Sequence, residues 1–403
     1  MPHCLPTIAY EVTAMIPFAA RMDRLGTESA FEYMAKAKQL EAQGKEIIHL
    51  EIGQPDFATA DFICKAAYEA MQAGYTGYGP AAGLPELRAA IAEYIGATRR
   101  LSVAPEQVVV MPGAKPIIFF TLLALVEPGD EVIYPDPGFP IYESVINFVG
   151  AKAVPLPLRE SVQFRCQPEE LRARVSERTK LLILNSPHNP TGGVLMPQDL
   201  DAIATLARQY DLYVLADEIY SRILYDPPHH SIASLPGMQE RTILLDGFSK
   251  TYAMTGWRLG YAVAAPAIIE KLTQLMINSN SCTCSFTQMA GITALQGAQQ
   301  PVEAMVQAFR QRRDLMVARL NQIPGIQCLT PAGAFYGFAN VSQLSLDDRA
   351  LADYLMTEAG VAVLPGSSFG SYGAGYLRLS YANSLSNIEQ ALEQLEQAVA
   401  QLT

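Results

Sequence analysis

The sequence predicts an α/β protein, in which a large domain with a mostly parallel sheet is followed by a smaller α+β domain. Three observations predict this fold class. Six short apolar runs lie between residues 107 and 265, and helix-like stretches separate most of them. After about residue 297 the pattern changes to long amphipathic segments that enclose a few strands. A chain of 403 residues also suits two lobes, each with its own core.

The large domain is predicted to begin with two helices. Apolar residues recur at helical spacing over 62–74, which ends at Gly74, and over 84–96, where Pro85 suits a first helical turn. Strands are expected at 107–111, 131–135, 180–184, 212–216, 241–246 and 259–265, with helices at 115–126, 168–175 and 197–210. Strands that are apolar on both faces and alternate with helices indicate a parallel sheet of the seven-stranded type, sandwiched by helices. In such sheets the ligand binds beyond the carboxyl ends of the strands.

The C-terminal part is predicted to form the α+β lobe. Helices are expected at 301–322, 347–359 and 386–402, and strands at 333–340, 361–364 and 376–381. The amphipathic stretch 28–44 is expected to join this lobe, which makes the second domain discontinuous. The predicted divisions are an N-terminal arm with the first part of the small domain at 1–52, the large domain at 53–297 and the C-terminal small domain at 298–403.

Composition excludes several classes of partner. The formal net charge of −11 repels phosphate backbones and anionic lipid surfaces, so neither nucleic acid nor membrane is expected as a partner. No apolar run is long enough to span a bilayer, and no Lys or Arg precedes Arg21, so no signal peptide is predicted and the chain is expected to be cytoplasmic.

The six cysteines are scattered along the chain. Cys282 and Cys284 form a C-x-C pair, but zinc needs four ligands, so free thiols and no metal are expected.

The segment DGFSKTYAMTGWRLGY at 246–261 carries the strongest chemical signal. Lys250 lies just after an apolar strand, among small and apolar neighbours, whereas most lysines are solvated on the surface. A lysine in a partly desolvated pocket has a lowered pKa and can attack a carbonyl to form an imine. Arg258, eight residues on, offers a planar cation for a phosphate.

This segment resembles the lysine signature of the class I and II aminotransferases, the fold type I pyridoxal-5′-phosphate (PLP) enzymes of the aspartate aminotransferase superfamily. The resemblance extends from about residue 25 to the C-terminus. It implies a PLP-dependent aminotransferase with Lys250 as the Schiff-base lysine. It also implies transfer of an amino group between an L-amino acid and a 2-oxo acid in a ping-pong reaction.

Two further segments resemble family motifs that hold the cofactor ring. In LNSPHNPTGGV, Asn189 matches the residue that binds the phenolic oxygen of PLP. In ADEIYSRILYD, Asp217 matches the partner of the pyridine nitrogen and Tyr220 a second ligand of the phenolic oxygen. Asp217 and Glu218 together suggest a metal site only weakly, because adjacent side chains of a strand point in opposite directions.

The resemblance also implies a phosphate site. The turn MPGAKP at 111–116 opens a helix, and backbone N–H groups at a helix start favour a phosphate. The residues implied are Gly113, Ala114, Lys115 and Arg258, and Ser249 is implied as a further cofactor-binding residue. Many relatives have a serine where this chain has Gly247, so one hydroxyl contact is expected to be missing.

Three more matches complete the implied site. Phe139 matches the aromatic residue that stacks on the cofactor ring, with a core aromatic as the alternative. Tyr78 matches a residue that reaches the phosphate of the neighbouring subunit, which implies a homodimer. Arg378, in an otherwise apolar strand, matches the residue that binds the substrate α-carboxylate, a role in which Gly53 and Asn189 assist.

The sequence leaves the outcome of the reaction and the substrate open. A PLP-dependent lyase or cyclase of the same fold is the main alternative, and an effector-binding aminotransferase-like module without catalysis is a remote one. Glutamate or 2-oxoglutarate is the default partner by family habit. The uncharged segment MINSNSCTCS at 276–285 indicates a neutral or variable substrate side chain. The loop at 225–231, with His229 and His230, is interpreted as a surface connection.

Overall fold

The structure is a computed structural model that describes residues 18–226 and 228–402. Its helices of more than one turn are α1 (Ser29–Ala42), α2 (Asp61–Gln72), α3 (Pro85–Arg99), α4 (Lys115–Leu125), α5 (Ile141–Val149), α6 (Pro168–Arg172), α7 (Pro197–Gln209), α8 (Pro266–Ser279), α9 (Ser285–Gln296), α10 (Gln300–Leu320), α11 (Asp348–Glu358) and α12 (Leu385–Ala400). The predicted helices are all present, and α5, α8 and α9 are additional ones.

The strands are β1 (Ile48–His49), β2 (Val108–Met111), β3 (Glu131–Asp136), β4 (Lys152–Pro157), β5 (Thr179–Asn185), β6 (Tyr213–Asp217), β7 (Thr242–Gly247), β8 (Gly260–Val263), β9 (Gln327–Cys328), β10 (Tyr336–Asn340), β11 (Val361–Ala362), β12 (Leu364–Pro365) and β13 (Tyr376–Ser380). Seven of them form the central sheet, in the order β2-β8-β7-β6-β5-β3-β4. Strand β8 is antiparallel to both of its neighbours, and the other pairs are parallel. The predicted α/β fold with a mostly parallel seven-stranded sheet is confirmed.

Strand β4 is the member of the central sheet that the sequence did not predict. It carries Pro155 and Pro157, and proline cannot donate to a sheet ladder. The strand lies at the edge of the sheet, pairs with β3 alone and is partly exposed. Its other side has no neighbouring strand, so the N–H groups that the two prolines lack are not needed for hydrogen bonds there. Strand propensity fails here because the position of a strand within a sheet is a tertiary property.

The C-terminal region forms a second layer that includes residues from the start of the chain. Strands β12, β13, β10 and β9 make a four-stranded antiparallel sheet on which α10 and α11 pack, and α12 packs on those two helices and on β11. Strand β1 pairs in parallel with β11, matching Ile48 with Val361 and His49 with Ala362, and α1 packs on β11 and β12. These contacts agree with a discontinuous second domain. The divisions at 52 and 297 stay predictions, and residues 1–17 of the proposed arm lie outside the described residues.

No helix of the described residues is long and apolar enough to cross a membrane. Within the same residues, no three His, Cys, Asp or Glu side chains are grouped so that they could hold a metal ion. Cys64, Cys166, Cys282, Cys284 and Cys328 are free thiols, while Cys4 lies outside the described part.

Candidate active site

A cavity of about 260 Å³ lies at the carboxyl ends of the central parallel strands. Strand β5 ends at Asn185, β6 ends at Asp217 and β7 leads into the turn that carries Lys250. Parallel strands bring such termini to one edge of the sheet. The predicted site residues that line the cavity are Gly53, Ala114, Lys115, Phe139, Asn189, Asp217, Tyr220, Ser249, Lys250, Arg258 and Arg378.

Lys250 projects into this cavity. Its Nζ donates to the backbone oxygen of Gly53 at 2.5 Å. Burial, together with the charges of Arg378, Lys115 and Arg258, lowers the pKa of Lys250 to about 8. A substantial fraction of the amine is therefore neutral near physiological pH, and only the neutral amine is nucleophilic or able to accept a proton.

Asp217 is buried at the end of β6. Its Oδ2 accepts a hydrogen bond from the Tyr142 hydroxyl at 2.6 Å, and its Oδ1 accepts one from the Ile219 N–H at 3.2 Å. Burial raises the pKa of Asp217 to about 6, although these two donors favour the charged form. A buried carboxylate in this state is best stabilised by a cationic group placed beside it.

Glu218 points to the other side of the strand, as the alternation of side chains predicts. Its Oε2 accepts from Arg99 Nε at 3.0 Å and contacts His229 Nε2 at 2.8 Å. Arg99 Nη2 also donates to Asp246 Oδ2 at 2.6 Å. The interpretation of His229 as part of a surface connection is wrong, because its side chain is only 10% exposed and reaches this buried cluster.

Arg378 in β13 is 4% exposed. Its Nη1 donates to Asn189 Oδ1 at 3.0 Å and its Nη2 donates to the Glu51 backbone oxygen at 2.5 Å. The guanidinium carbon lies 4.4 Å from the centre of the Tyr336 ring. Nε is buried and has no hydrogen-bond partner within the described residues. Burial lowers the pKa of Arg378. A buried N–H of this kind is stabilised by a hydrogen-bond acceptor, and the positive charge of the guanidinium favours an anionic one.

Two tyrosine hydroxyls meet beside Arg378. Tyr220 Oη lies 2.7 Å from Tyr336 Oη, and the two rings contact each other edge to face. A Cβ atom at Gly53 would overlap the Tyr336 hydroxyl, so this position requires glycine. Phe139 lies in the connection between β3 and α5, and its ring contacts that of Tyr142 edge to face.

The start of α4 and Arg258 form a basic corner of the cavity. Gly113 has a φ of +95°, and a Cβ there would overlap the Arg258 guanidinium. Arg258 Nη1 donates to the Thr255 backbone oxygen at 2.8 Å, which orients the guanidinium. The helix start adds backbone N–H groups, so the corner suits a phosphate.

The backbone around Gly247 is closely packed. A Cβ at Gly247 would lie 3.0 Å from the Gly260 Cα on the adjacent strand and 3.1 Å from the Leu259 backbone oxygen. Such a contact forces the neighbouring backbone to shift, and here that backbone belongs to a central strand of the sheet.

Two predicted site residues do not line the cavity: Gly113, which lies against the Arg258 guanidinium at its basic corner, and Tyr78, which stands apart from it. The side chain of Tyr78 is 93% exposed. Sequence reasoning missed Tyr142, Tyr336, Asn185 and Glu28, which do line it. Tyr142 and Tyr336 lie in apolar segments, where the sequence predicts a buried core residue for an aromatic side chain. Their hydroxyl groups bond to residues far away in the sequence, so these polar contacts are visible only in the folded structure.

Comparisons with known proteins agree with this geometry. The sequence model of the family described as "Aminotransferase class I and II" matches residues 45–395. Aspartate aminotransferase of Pyrococcus abyssi is 41% identical over 384 residues, which cover 94% of this chain and 98% of the relative. Aromatic-amino-acid aminotransferase 2 of Thermococcus litoralis is 39% identical and covers 89% and 93%.

The fold comparison gives the same result. The structure of Thermus thermophilus aspartate aminotransferase with maleate superposes with a TM-score of 0.92 at 36% identity, covering 95% of this chain and all of the other. The family and enzyme class predicted from the sequence are confirmed, and transamination is supported over the lyase, cyclase and effector-binding alternatives. The chain belongs to the class I and II aminotransferase family, whose cofactor is pyridoxal 5′-phosphate.

Proposed function

We propose that this aminotransferase moves the amino group of L-aspartate to 2-oxoglutarate, with Lys250 as the cofactor-bearing lysine and Arg378 as the ligand of the substrate α-carboxylate. The observation that carries the proposal is the buried guanidinium of Arg378, which lines the cavity that Lys250 enters and whose Nε has no hydrogen-bond partner among the described residues. Aspartate is chosen because relatives at this level of identity are named aspartate aminotransferases.

The residues present fit the cofactor. The cavity offers a lysine of lowered pKa, a buried carboxylate that has no ion-pair partner in residues 18–226 and 228–402, and a guanidinium beside a helix start. We assign these to the aldehyde, the ring nitrogen and the phosphate of PLP, and Gly113, Ala114, Lys115 and Ser249 to the phosphate as well. When bound, PLP supplies a cationic conjugated ring that takes up the electron pair left on the substrate Cα when its proton is removed.

Asp217 keeps the ring nitrogen protonated in this scheme. A cation beside the carboxylate lowers its pKa from about 6, and the Tyr142 hydroxyl supports the charged form with a hydrogen bond of 2.6 Å. Asn189 and Tyr220 are assigned to the phenolic oxygen of the cofactor, and Phe139 to the face of its ring. The Tyr336 hydroxyl, 2.7 Å from that of Tyr220, orients the latter.

Lys250 moves the proton. With the cofactor bound, the neutral Lys250 amine would accept the proton from the substrate Cα, and the resulting ammonium would return that proton as a general acid. A pKa of about 8 suits both roles, because the amine is readily protonated and readily deprotonated near neutral pH.

Arg378 orients the substrate for that transfer. A guanidinium binds a carboxylate through two parallel hydrogen bonds, and its contacts with Asn189 and the Glu51 backbone hold its plane fixed. Gly53, whose missing Cβ leaves room for the Tyr336 hydroxyl, is assigned to the substrate side of the cavity.

The assembly and compartment are further parts of the proposal. Tyr78 is assigned to the phosphate of a second subunit in a homodimer, which agrees with its full exposure in the single chain. The enzyme is proposed to act in the cytoplasm, in agreement with free thiols at the five described cysteines. A Tyr78→Phe variant that binds PLP as tightly as the parent, or a monomer in sedimentation, contradicts the assignment.

The test is a single half-reaction. L-aspartate added to the PLP-loaded enzyme without an oxo acid is expected to yield one equivalent of oxaloacetate per subunit and no ammonia. Lys250→Ala is expected to slow this step at least about 1,000-fold, in the range of general acid–base catalysis. Lys271→Ala, an exposed lysine paired with Glu270, is the control. Release of ammonia, or a Lys250→Ala variant of parental rate, overturns the proposal.

A further inference from the structure

Glu51 contacts Arg378 through its backbone, yet its carboxylate is paired with a different cation. The Glu51 backbone oxygen accepts from Arg378 Nη2 at 2.5 Å, whereas the carboxylate Oε1 lies 2.7 Å from His49 Nδ1. The Glu51 side chain is fully buried. Within the described chain, the partners of the Arg378 guanidinium are an amide and a backbone oxygen, and neither is a carboxylate. Opposite charges buried close together normally pair, so the division of these charges needs a physical cause.

The cause is the imidazole of His49. His49 and Glu51 are two residues apart in an extended segment, so their side chains lie on the same face. The other ring nitrogen, Nε2, lies 3.1 Å from Oε1 of Glu41 in α1. The hydrogen bond with Glu51 raises the pKa of His49 to about 9, burial opposes that rise, and the charges of both carboxylates add to it. The imidazole is therefore cationic near neutral pH, and the His49–Glu51 pair carries no net charge.

The backbone of this segment is held in place without the pair. The Leu50 N–H donates to the Ala362 oxygen in β11 at 2.9 Å, and the Leu50 oxygen accepts from the Ser380 N–H in β13 at 2.7 Å. These bonds fix the neighbouring Glu51 oxygen that Arg378 contacts. The pair is not needed as a brace, so its contribution to the site is its charge.

The Glu51 carboxylate is close enough to Arg378 to act on its charge. It raises the pKa of Arg378, against the effect of burial. Its second oxygen, Oε2, is buried and has no hydrogen-bond partner in the described part of the chain. Without the His49 cation, this buried anion would be compensated by Arg378 alone, and a substrate carboxylate would have to compete with it. With the cation present, the guanidinium keeps a net positive charge for the substrate.

We propose that His49 is a positioning residue, which holds the Glu51 carboxylate in an ion pair and so keeps the Arg378 guanidinium available to the substrate α-carboxylate. The inference rests on the proposed function, because it needs Arg378 to bind that carboxylate. His49 is 33% exposed and does not line the cavity, so it acts on the substrate only through the other two residues. Its effect is on the binding of carboxylates and not on proton transfer by Lys250.

The test measures binding of 3-phenylpropionate, an unreactive monocarboxylate, to the PLP-loaded enzyme by calorimetry near neutral pH. His49→Gln keeps a hydrogen-bond donor beside Glu51 but removes the cation, and it is expected to raise the Kd about tenfold. Glu51→Gln removes the competing anion, so its Kd should stay within about twofold of the parental value or fall below it. The double variant should match Glu51→Gln, which means that the second change rescues the first.

Two further measurements separate the charge of His49 from a role in stability. His49→Lys restores a cation beside Glu51 and should keep the Kd within about threefold of the parental value, without any change at a buried residue. In single turnovers with L-aspartate, His49→Gln should raise the substrate concentration for half-maximal rate about tenfold and change the maximal rate less than about twofold.

The control is Glu46→Gln, which removes an exposed carboxylate three residues before His49, outside the cavity, and should leave the Kd unchanged. If the pair were only a brace, both single variants would weaken binding equally and the double variant would not recover. That result, an unchanged Kd in His49→Gln, or a His49→Lys variant as weak as His49→Gln overturns the inference and leaves the proposed function standing. If 3-phenylpropionate does not bind the parent, or binds Arg378→Lys as tightly, the carboxylate site and with it the proposed function fail instead.

Discussion

Replacement of Arg378 by lysine keeps the positive charge but removes the planar guanidinium, so it separates the effect of side-chain geometry on substrate binding from the effect of charge. In the structure, Nη1 and Nη2 each hold one protein oxygen, while Nε is buried without a partner in the described chain. The parent therefore retains Nε and a second hydrogen on each Nη nitrogen for a substrate carboxylate. A lysine places three hydrogens on one atom and cannot maintain two protein contacts and two parallel substrate bonds.

The expected loss is one charge-assisted hydrogen bond to the substrate, worth about 1.5–3 kcal/mol. Arg378→Lys should therefore lower kcat/KM for L-aspartate by about 10- to 150-fold, since each 1.36 kcal/mol corresponds to a factor of ten. The assay is the single-turnover half-reaction, run in parallel with 2-phenylethylamine, which lacks the carboxylate. The slow rate with this amine should be nearly the same in the parent and the variant.

The control is Arg313→Lys, another buried arginine, which pairs with Asp226 and does not line the cavity. It should retain the parental kcat/KM. Urea unfolding of both variants shows whether Arg313→Lys and Arg378→Lys lose similar amounts of stability. A decrease for L-aspartate of less than about threefold, or an equal decrease for the amine without a carboxylate, refutes the role of Arg378.

The remaining predictions concern titration. Tyr142→Phe removes the hydrogen-bond donor to Asp217 Oδ2. The folded pKa of Asp217, about 6, lies above its ordinary value of 3.8. The stability that this carboxyl contributes at low pH is therefore lost as the pH rises through 6. Without PLP, the variant should lose about 1–3 kcal/mol of unfolding free energy at pH 8 and less at pH 5, as measured by urea titration, and an equal loss at both pH values contradicts the reasoning. For Lys250, the folded pKa of about 8 lies below the ordinary 10.5, so the folded chain binds fewer protons and stability from this group rises between those pH values. Acetic anhydride labelling of the PLP-free protein should show half-maximal rate near pH 8 at Lys250, and a midpoint near 10.5 argues against a desolvated lysine.

Much of the site was predictable because the cofactor-binding groups lie in short contiguous motifs. Lys250, Asp217 and Asn189 each follow an apolar strand, and parallel strands bring those ends together whatever the details of packing. Arg378 was predictable for a different reason, since a charge in an apolar strand needs a partner. The roles assigned to these residues stay proposals, whereas their common location on one cavity is observed.

Other features depended on contacts between distant segments. His229 looked like a loop residue, yet it reaches Glu218 in a buried cluster with Arg99. Tyr142 looked like core, yet its hydroxyl binds Asp217, 75 residues away. Local sequence does not encode such partners, because each depends on how helices and strands pack across the sheet.

The sequence by itself determined the family, the cofactor and the six apolar strands of the large domain, since periodicity and contiguous motifs are local properties. Only the tertiary structure decided the edge strand β4, the unpaired Nε of Arg378 and the ion pair between Glu28 and Lys115. These are set by which groups meet after folding and by how much water remains around them. Burial and pairing change the energy of a charge by several kcal/mol, and neither quantity exists in an isolated segment.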